Sequence, residues 1–329
     1  MAGAPGSALT SGPVQSEPPI IQAIGLTKQF KQLRAVDSLN LEVRPGELFG
    51  LIGPDGAGKT TTLRLLAGLL DISDGSATVA SFDLKSQSES IKPLIGYMAQ
   101  EFSLYGELTV LENLRFFSEL YDVSGSERRE RTDRLLEFAG LTEFTDRRGK
   151  LLSGGMKKKL ALACTLIHRP KILLLDEPTT GVDPISRREF WDILTELHLE
   201  GTTILVSTPY MDEADRCSRV GLMYAGALFA CDTPMAIRSR IAGDLVGLKA
   251  DNWRLAKSVV QDLDGVEEIQ VYGDSLHIRL DSAGERIGQI TRALEQGGIE
   301  THELRPIPVR MEEAFISLMG QRAAEESEA

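Results

Sequence analysis

Apolar positions along this chain follow two rhythms. Short apolar runs bounded by turn residues, at 47–52 after Pro45-Gly46, at 172–175 and at 203–207, predict strands covered on both faces. The segment 20–26 and the alternating Leu39-Asn40-Leu41-Glu42-Val43 also predict strands. A helix is expected over 60–70, and 103–150 is expected to be largely helical, with Leu111, Leu114, Phe117 and Leu120 at helical spacing. Gly96-Tyr97-Met98-Ala99 is strand-like. The first part of the chain is therefore expected to be an α/β core with a helical insert.

Beyond about residue 245 the order changes to strand 245–250, helix 253–263, strands 267–272 and 275–280, helix 284–296 and strand 300–306. Gly273-Asp274 makes a short turn between the middle strands. This βαββαβ order predicts a small α+β ferredoxin-like domain. An amphipathic helix over 311–319 is expected to end at Gly320. The expected domains are a disordered leader 1–19, a core 20–242 with its helical part at about 103–160, the ferredoxin-like domain 243–321 and an acidic tail 322–329. The leader carries Pro5, Pro13, Pro18 and Pro19 with Glu17 as its one charge, too little apolar surface to offset the entropy of ordering.

A length of 329 residues suits about two domains. With 36 basic and 48 acidic residues the net charge is −12, which argues against nucleic acid as the main partner. The apolar run from Leu160 reaches only Ile167, through a Thr, far short of the ~20 residues that cross a bilayer. Cys164, Cys217 and Cys231 fit neither a disulfide framework nor a zinc pattern. With no basic residue before Lys28 and no apolar segment of signal type, a cytoplasmic location is expected.

The chemistry concentrates in Gly53-Pro54-Asp55-Gly56-Ala57-Gly58-Lys59-Thr60, which matches G-x-x-x-x-G-K-[ST] between a buried strand and a helix. Glycines let successive N–H groups turn inward onto phosphate oxygens, and the helix start adds its positive end. Lys59 supplies a full charge to the β- and γ-phosphates, and the Thr60 hydroxyl is a magnesium ligand. Asp176 closes a buried strand where a magnesium-holding carboxylate belongs, and Glu177 follows it. Two adjacent acids also suit a solvated turn. Beside a phosphate loop they read better as one metal ligand and one general base, Glu177.

Three further motifs accompany this loop: Gln100 after a strand, Leu152-Ser153-Gly154-Gly155-Met156 opening a helix, and Pro178-Thr179-Thr180-Gly181-Val182-Asp183-Pro184 after the acids. Together they resemble the ATP-binding cassette (ABC) family over about residues 20–240, as Walker A, Q-loop, signature motif, Walker B and D-loop in order. The resemblance implies an ATPase that dimerises head to tail around two Mg-ATP. Residues 53–60 and Thr61 would come from one subunit, and Ser153, Gly154 and Gly155 from the other. It implies Phe30 as the aromatic stacked on adenine, although a core Phe at a strand end is the alternative. Gln100 would sense the γ-phosphate and magnesium, and Asp183 would organise the dimer interface.

With no membrane span, the work would pass to a separate permease at the cytoplasmic face of the membrane. Phe102, Leu104 and Tyr105 are candidates for that contact, or else for local core packing. The stretches at 180–184, 210–214 and 310–315 resemble bacterial exporters of drugs, antibiotics or other hydrophobic compounds, which carry a C-terminal extension. One departure stands out. The family's switch histidine, in Ser-Thr-His-Tyr, is Pro209 here, in Ser207-Thr208-Pro209-Tyr210. An ATP-gated dimerisation switch with little hydrolysis is therefore the second expectation. Met156 also replaces the usual Gln of the signature.

Overall fold

The computed structural model describes residues 17–101 and 104–328, with side chains through Arg322. The expected leader up to residue 16, Phe102 and the side chains of the acidic tail lie outside the described residues. The chain packs as two units: residues up to Pro209 with Met223–Leu228, and Tyr210–Leu222 with Phe229 onward.

In the first unit, β1 (Ile21–Phe30) pairs antiparallel with β2 (Leu33–Val43). β3 (Leu48–Ile52) is buried throughout and leads through the glycine loop into α1 (Lys59–Leu66). That helix is shorter than the expected 60–70, because Ala67 caps it and Gly68 turns away at φ +68°. Then come β4 (Asp74–Val79), β5 (Phe82–Asp83), α2 (Leu84–Ile91) and β6 (Ile95–Met98). β4 and β5 join β1 and β2 in a separate antiparallel sheet of order β2-β1-β4-β5, which the apolar pattern did not announce.

The helical insert holds α3 (Val110–Leu120) and α4 (Gly125–Phe138), followed by α5 (Gly154–Leu166). Thr109 and Glu112 cap α3 reciprocally, each side chain accepting the other's backbone N–H. Its buried face is Val110, Asn113, Leu114 and Ser118, so Leu111 and Leu120 point to solvent despite their spacing. β7 (Ile172–Asp176), α6 (Pro184–Leu199) and β8 (Thr203–Thr208) complete the parallel core. Its strands lie in the order β6-β7-β8-β3. β9 (Arg219–Tyr224) and β10 (Ala227–Asp232) follow, each with residues in both units, and α7 (Pro234–Arg238) belongs to the second unit.

The second unit contains β11 (Asp244–Ala250), α8 (Trp253–Val260), β12 (Val266–Tyr272), β13 (Ser275–Leu280), α9 (Ala283–Gln296) and β14 (Thr301–Pro306). The antiparallel order β12-β13-β11-β14 is the ferredoxin-like arrangement. Alternation along β13 sends Leu276, Ile278 and Leu280 into a core with Ala256, Val260, Ile290 and Leu294. His277 takes the opposite face. α10 (Met311–Glu328) runs straight through Gly320, where a stop was expected. A single glycine without an αL turn costs a helix only about 1 kcal/mol, too little to end it.

Candidate functional site

Ligands of open parallel sheets bind at the carboxyl ends of the strands. Here three strand ends deliver the expected chemistry and a fourth adds a hydroxyl. β3 leads into Gly53, β6 into Gln100, β7 into Asp176 and Glu177, and β8 into Ser207. The loop's shape requires glycine at two points. A Cβ on Gly53 would lie 2.1 Å from the Met223 carbonyl oxygen. One on Gly58, at φ +103°, would lie 2.3 Å from that of Ala35. No side chain caps the start of α1, so its positive end remains available to an anion.

Asp55, Gly56, Ala57, Gly58, Lys59, Thr60 and Thr61 line a cavity of about 490 Å³ together with Gln100 and Glu177. Gly53 and Pro54 instead offer their carbonyl oxygens to Lys59 Nζ, at 2.8 and 3.0 Å. The same ammonium lies 3.1 Å from Glu177 Oε1, and the two side chains are only 3% and 5% exposed. Glu177 Oε2 accepts from Gln100 Nε2 at 2.9 Å and from Thr180 Oγ1 at 3.2 Å. Both oxygens of the candidate base are therefore engaged. Its backbone sits at φ +46°, an unusual conformation outside glycine. The Glu177 N–H, shared between the carbonyl oxygen and Oγ of Ser207 at 3.1 and 3.0 Å, holds it there.

Asp176 is fully buried, and its Oδ1 accepts from Thr60 Oγ1 at 3.0 Å and Ser207 Oγ at 2.8 Å. Its Oδ2 is buried without a partner. Burial pushes its pKa above the ordinary carboxylate range, and the Glu177 charge adds to this. The Ser207 and Thr60 hydrogen bonds and the Arg64 charge oppose it. An unsatisfied carboxylate oxygen beside a hydroxyl fits a hard cation with oxygen ligands. Among the described residues no three His, Cys, Asp or Glu side chains gather as a metal cage. Magnesium needs none, since it takes one or two carboxylates and completes its shell with phosphate and water. Thr60 and Asp176 are thus the residues that would hold it, and Gln100, the third residue expected to meet magnesium, lines the same cavity as Thr60.

Lys158, Ser207 and Thr180 support this site without having been assigned a role in it. Lys158 Nζ donates to the Gln100 carbonyl oxygen at 2.8 Å, joining α5 to the end of β6. Burial pushes its pKa down, while Asp176 and Glu177 oppose that shift. Its position in Lys157-Lys158-Lys159 reads as a solvated charge run, so only the fold distinguishes it. Ser207 was legible as a hydroxyl at a strand end.

Ser153, Gly154 and Gly155 lie at the start of α5 and are not in the cavity wall. Ser153 caps the helix by accepting from the Met156 N–H at 3.3 Å, and Ser153 and Gly154 are exposed. Gly155 is buried, where a Cβ would meet the Ser186 hydroxyl at 2.5 Å. Asp183 is exposed and caps α6, accepting from the Ile185 and Ser186 N–H groups at 3.1 and 3.0 Å. These bonds hold its pKa below the ordinary range.

Phe30 is 43% exposed, so it is not a core residue. The cavity wall nearest to it in sequence is Leu33, Arg34 and Ala35. Leu104 packs partly buried against the insert's core, whereas Tyr105 is 49% exposed and edge-on to Phe116. Pro209 follows directly on β8.

The family model described as "ABC transporter" matches residues 36–180. The chain is 47% identical over 225 residues to the "Probable multidrug ABC transporter ATP-binding protein YbhF" of Escherichia coli K12, covering 68% of this chain but only 39% of that relative. It is 34% identical to the daunorubicin resistance ATP-binding protein DrrA2 of Streptomyces coeruleorubidus, covering 92% of this chain and 95% of that one. Against the linearmycin resistance ATP-binding protein LnrL of Bacillus subtilis it is 31% identical, over 92% and 99%.

Two solved structures extend the likeness. One is a dimeric post-hydrolysis state of the ATP-binding cassette MJ0796 bound to ADP and Pi, with TM-score 0.60, 27% identity and coverage of 65% and 98%. The other is cbiO1 from Clostridium perfringens, part of the complex cbiONQ, with TM-score 0.63, 25% identity and coverage of 75% and 96%. By motif, fold and near full-length similarity, the chain belongs to the ABC transporter family, among its ATP-binding proteins.

Proposed function

We propose that this chain is the ATP-hydrolysing subunit of a membrane exporter of drugs or other hydrophobic compounds, working as a homodimer on a separate permease. The observation that supports it most is the gathering of Lys59, Thr60, Gln100 and Glu177 around one cavity, with the buried Asp176 hydrogen-bonded to Thr60. Among the described residues no helix is long and apolar enough to cross a membrane, so translocation falls to a partner at the cytoplasmic face. Exposed Tyr105, Phe116, Leu111 and Leu120 on the insert offer an apolar surface for it. Drug export as the task rests on the names of the resistance proteins to which the chain is similar.

Phosphate oxygens of ATP entering the loop compete for Lys59, which now donates to Gly53, Pro54 and Glu177. Drawing the ammonium onto the phosphates releases Glu177 Oε1, and that carboxylate becomes free to accept a proton from the attacking water. Magnesium bound by Thr60 and Asp176 would neutralise phosphate charge there. Gln100, bonded to Glu177 on one side and to Lys158 on the other, connects the γ-phosphate position to α5. The exposed Ser153 and Gly154 at the start of that helix complete the site of a second copy, with Gly155 beneath them and Asp183 at the interface.

Pro209 favours a second reading, because proline brings neither a side-chain donor nor an N–H to the γ-phosphate. In that reading ATP closes the dimer without appreciable turnover. Steady-state hydrolysis by wild type and Glu177→Gln separates the two. The transport reading expects a loss of about a hundred-fold or more in the variant, with ATP-driven dimerisation retained. Equal, near-zero rates support the switch.

A further inference from the structure

At the opposite end of β7 from Asp176, the first unit holds a second cavity, of about 220 Å³, that the nucleotide chemistry does not use. Its floor is apolar: Leu135 and Phe138 of α4, Leu166 of α5, Pro170 of the turn before β7 and Leu197 of α6. Arg131, Arg134, Leu135 and Phe138 follow at i, i+3, i+4 and i+7, one face of α4. Arg169, in the turn before β7, completes a group of three guanidiniums.

Their bonding leaves charge uncompensated. Arg134 pairs with Glu200 at 2.6 Å. Arg131 pairs with Glu127 and donates Nη1 to the Ile167 carbonyl oxygen at 2.8 Å, while its Nε is buried without a partner. Arg169 makes no side-chain hydrogen bond or ion pair among the described residues. Three guanidiniums against two carboxylates leave one positive charge beside an apolar floor. Arg169 also holds a backbone φ of +55°, an unusual conformation for a side chain of its size.

We propose that this cavity binds a small organic carboxylate with an apolar body. A planar guanidinium matches a carboxylate through two parallel N–H bonds, and Arg169 has all its donors free. The body lies against Leu135, Phe138 and Leu197. A cavity of about 150 Å³ accepts benzene, so 220 Å³ holds a ring with a carboxylate and little more. Glu200 repels an anion on its side, which places the carboxylate toward Arg169 and Arg131. Such a ligand bridges α4 of the insert to the turn before β7 and the end of α6.

Isothermal titration of the full chain with benzoate, benzamide and sulfate tests this, in wild type and Arg169→Gln. The expected result is one benzoate per chain. Benzamide and sulfate should bind at least ten-fold more weakly, and Arg169→Gln should lower benzoate affinity about ten-fold. Arg169 is exposed, so the variant should fold. Absence of benzoate binding overturns the proposal. So does equal binding of benzamide, which removes the charge, or of sulfate, which removes the body. Unchanged benzoate affinity in Arg169→Gln overturns it as well, by placing the ligand elsewhere.

Discussion

Lys59 with Glu177 in the first unit, and His277 with Glu313 in the second, are both pairs of ionisable side chains almost removed from water, at 3.1 and 2.9 Å. What surrounds them differs. Glu313 spends one oxygen on His277 and the other on the Arg310 N–H at 2.8 Å, and Tyr272 stacks on the imidazole at 4.1 Å. That pair fixes α10 to the sheet face that α8 and α9 leave uncovered. Around Lys59, by contrast, lie a cavity, an uncapped helix start and the orphaned Asp176 Oδ2. A buried ion pair contributes little stability by itself, yet losing one partner is costly. Its use therefore depends on whether a ligand can replace that partner. In the first unit a phosphate can; in the second the cavity lined by His277 and Glu313 measures only about 20 Å³.

Removing the cation is the sharpest test of that difference. Lys59→Ala leaves Glu177 buried against Gln100 and Thr180 with no positive partner. The nucleotide-free protein should lose about 3 kcal/mol in urea unfolding. ATP affinity should fall on the order of a hundred-fold. Adding Glu177→Gln should restore most of the stability and none of the affinity. If the single variant binds ATP as wild type does, Lys59 belongs to structure alone and the contrast with His277 is lost.

A smaller effect is expected in the second unit. His277→Leu leaves Glu313 Oε1 without its partner, at a cost of about 1–3 kcal/mol. Since two units need not unfold together, hydrogen exchange on β13 and α10 reads it better than a single melting temperature. ATP affinity should not change. Replacing both His277 and Glu313 by Leu should be close to neutral, because the desolvation cost goes with the pair. A fall in ATP affinity in either variant would mean that the second pair also serves the nucleotide.

The sequence announced the chemistry of the first unit better than its architecture. Continuous apolar runs located β3, β7 and β8, and the glycine loop located the phosphate site, because both depend on local residue types. The antiparallel sheet went unseen where β4 reads Asp74-Gly75-Ser76-Ala77-Thr78-Val79, with one strongly apolar residue in six. Such a strand is fixed by pairing with β1, which is non-local information. The engagement of Glu177 by Lys59 was equally out of reach, since 118 residues separate them. In the second unit the turn at Gly273-Asp274 separated the two middle strands in the sequence. On β13 a histidine sits among apolar residues, and only the docked α10 explains it.

His168 extends the comparison to a half-buried imidazole with no carboxylate partner among the described residues. Its Nε2 donates to the Ile95 carbonyl oxygen at 3.0 Å, and the ring stacks on Tyr121 at 3.8 Å. Its Nδ1 is buried without a partner. Protonation there would create a charged N–H with no acceptor. Burial accordingly pushes the pKa of His168 below the ordinary histidine range, and the Arg131 charge adds to this, against the Ile95 hydrogen bond. The unfolded chain then binds a proton that the folded chain refuses, in the window between the depressed value and the ordinary one near 6.5. Stability of the first unit should be fully present above that window and fall as pH drops through it, by at most about 1.4 kcal/mol per pH unit. His168→Gln should flatten this slope in unfolding curves taken across the window. If the slope survives unchanged, the buried Nδ1 is not its source, and His168 loses its place as the unpaired counterpart of His277.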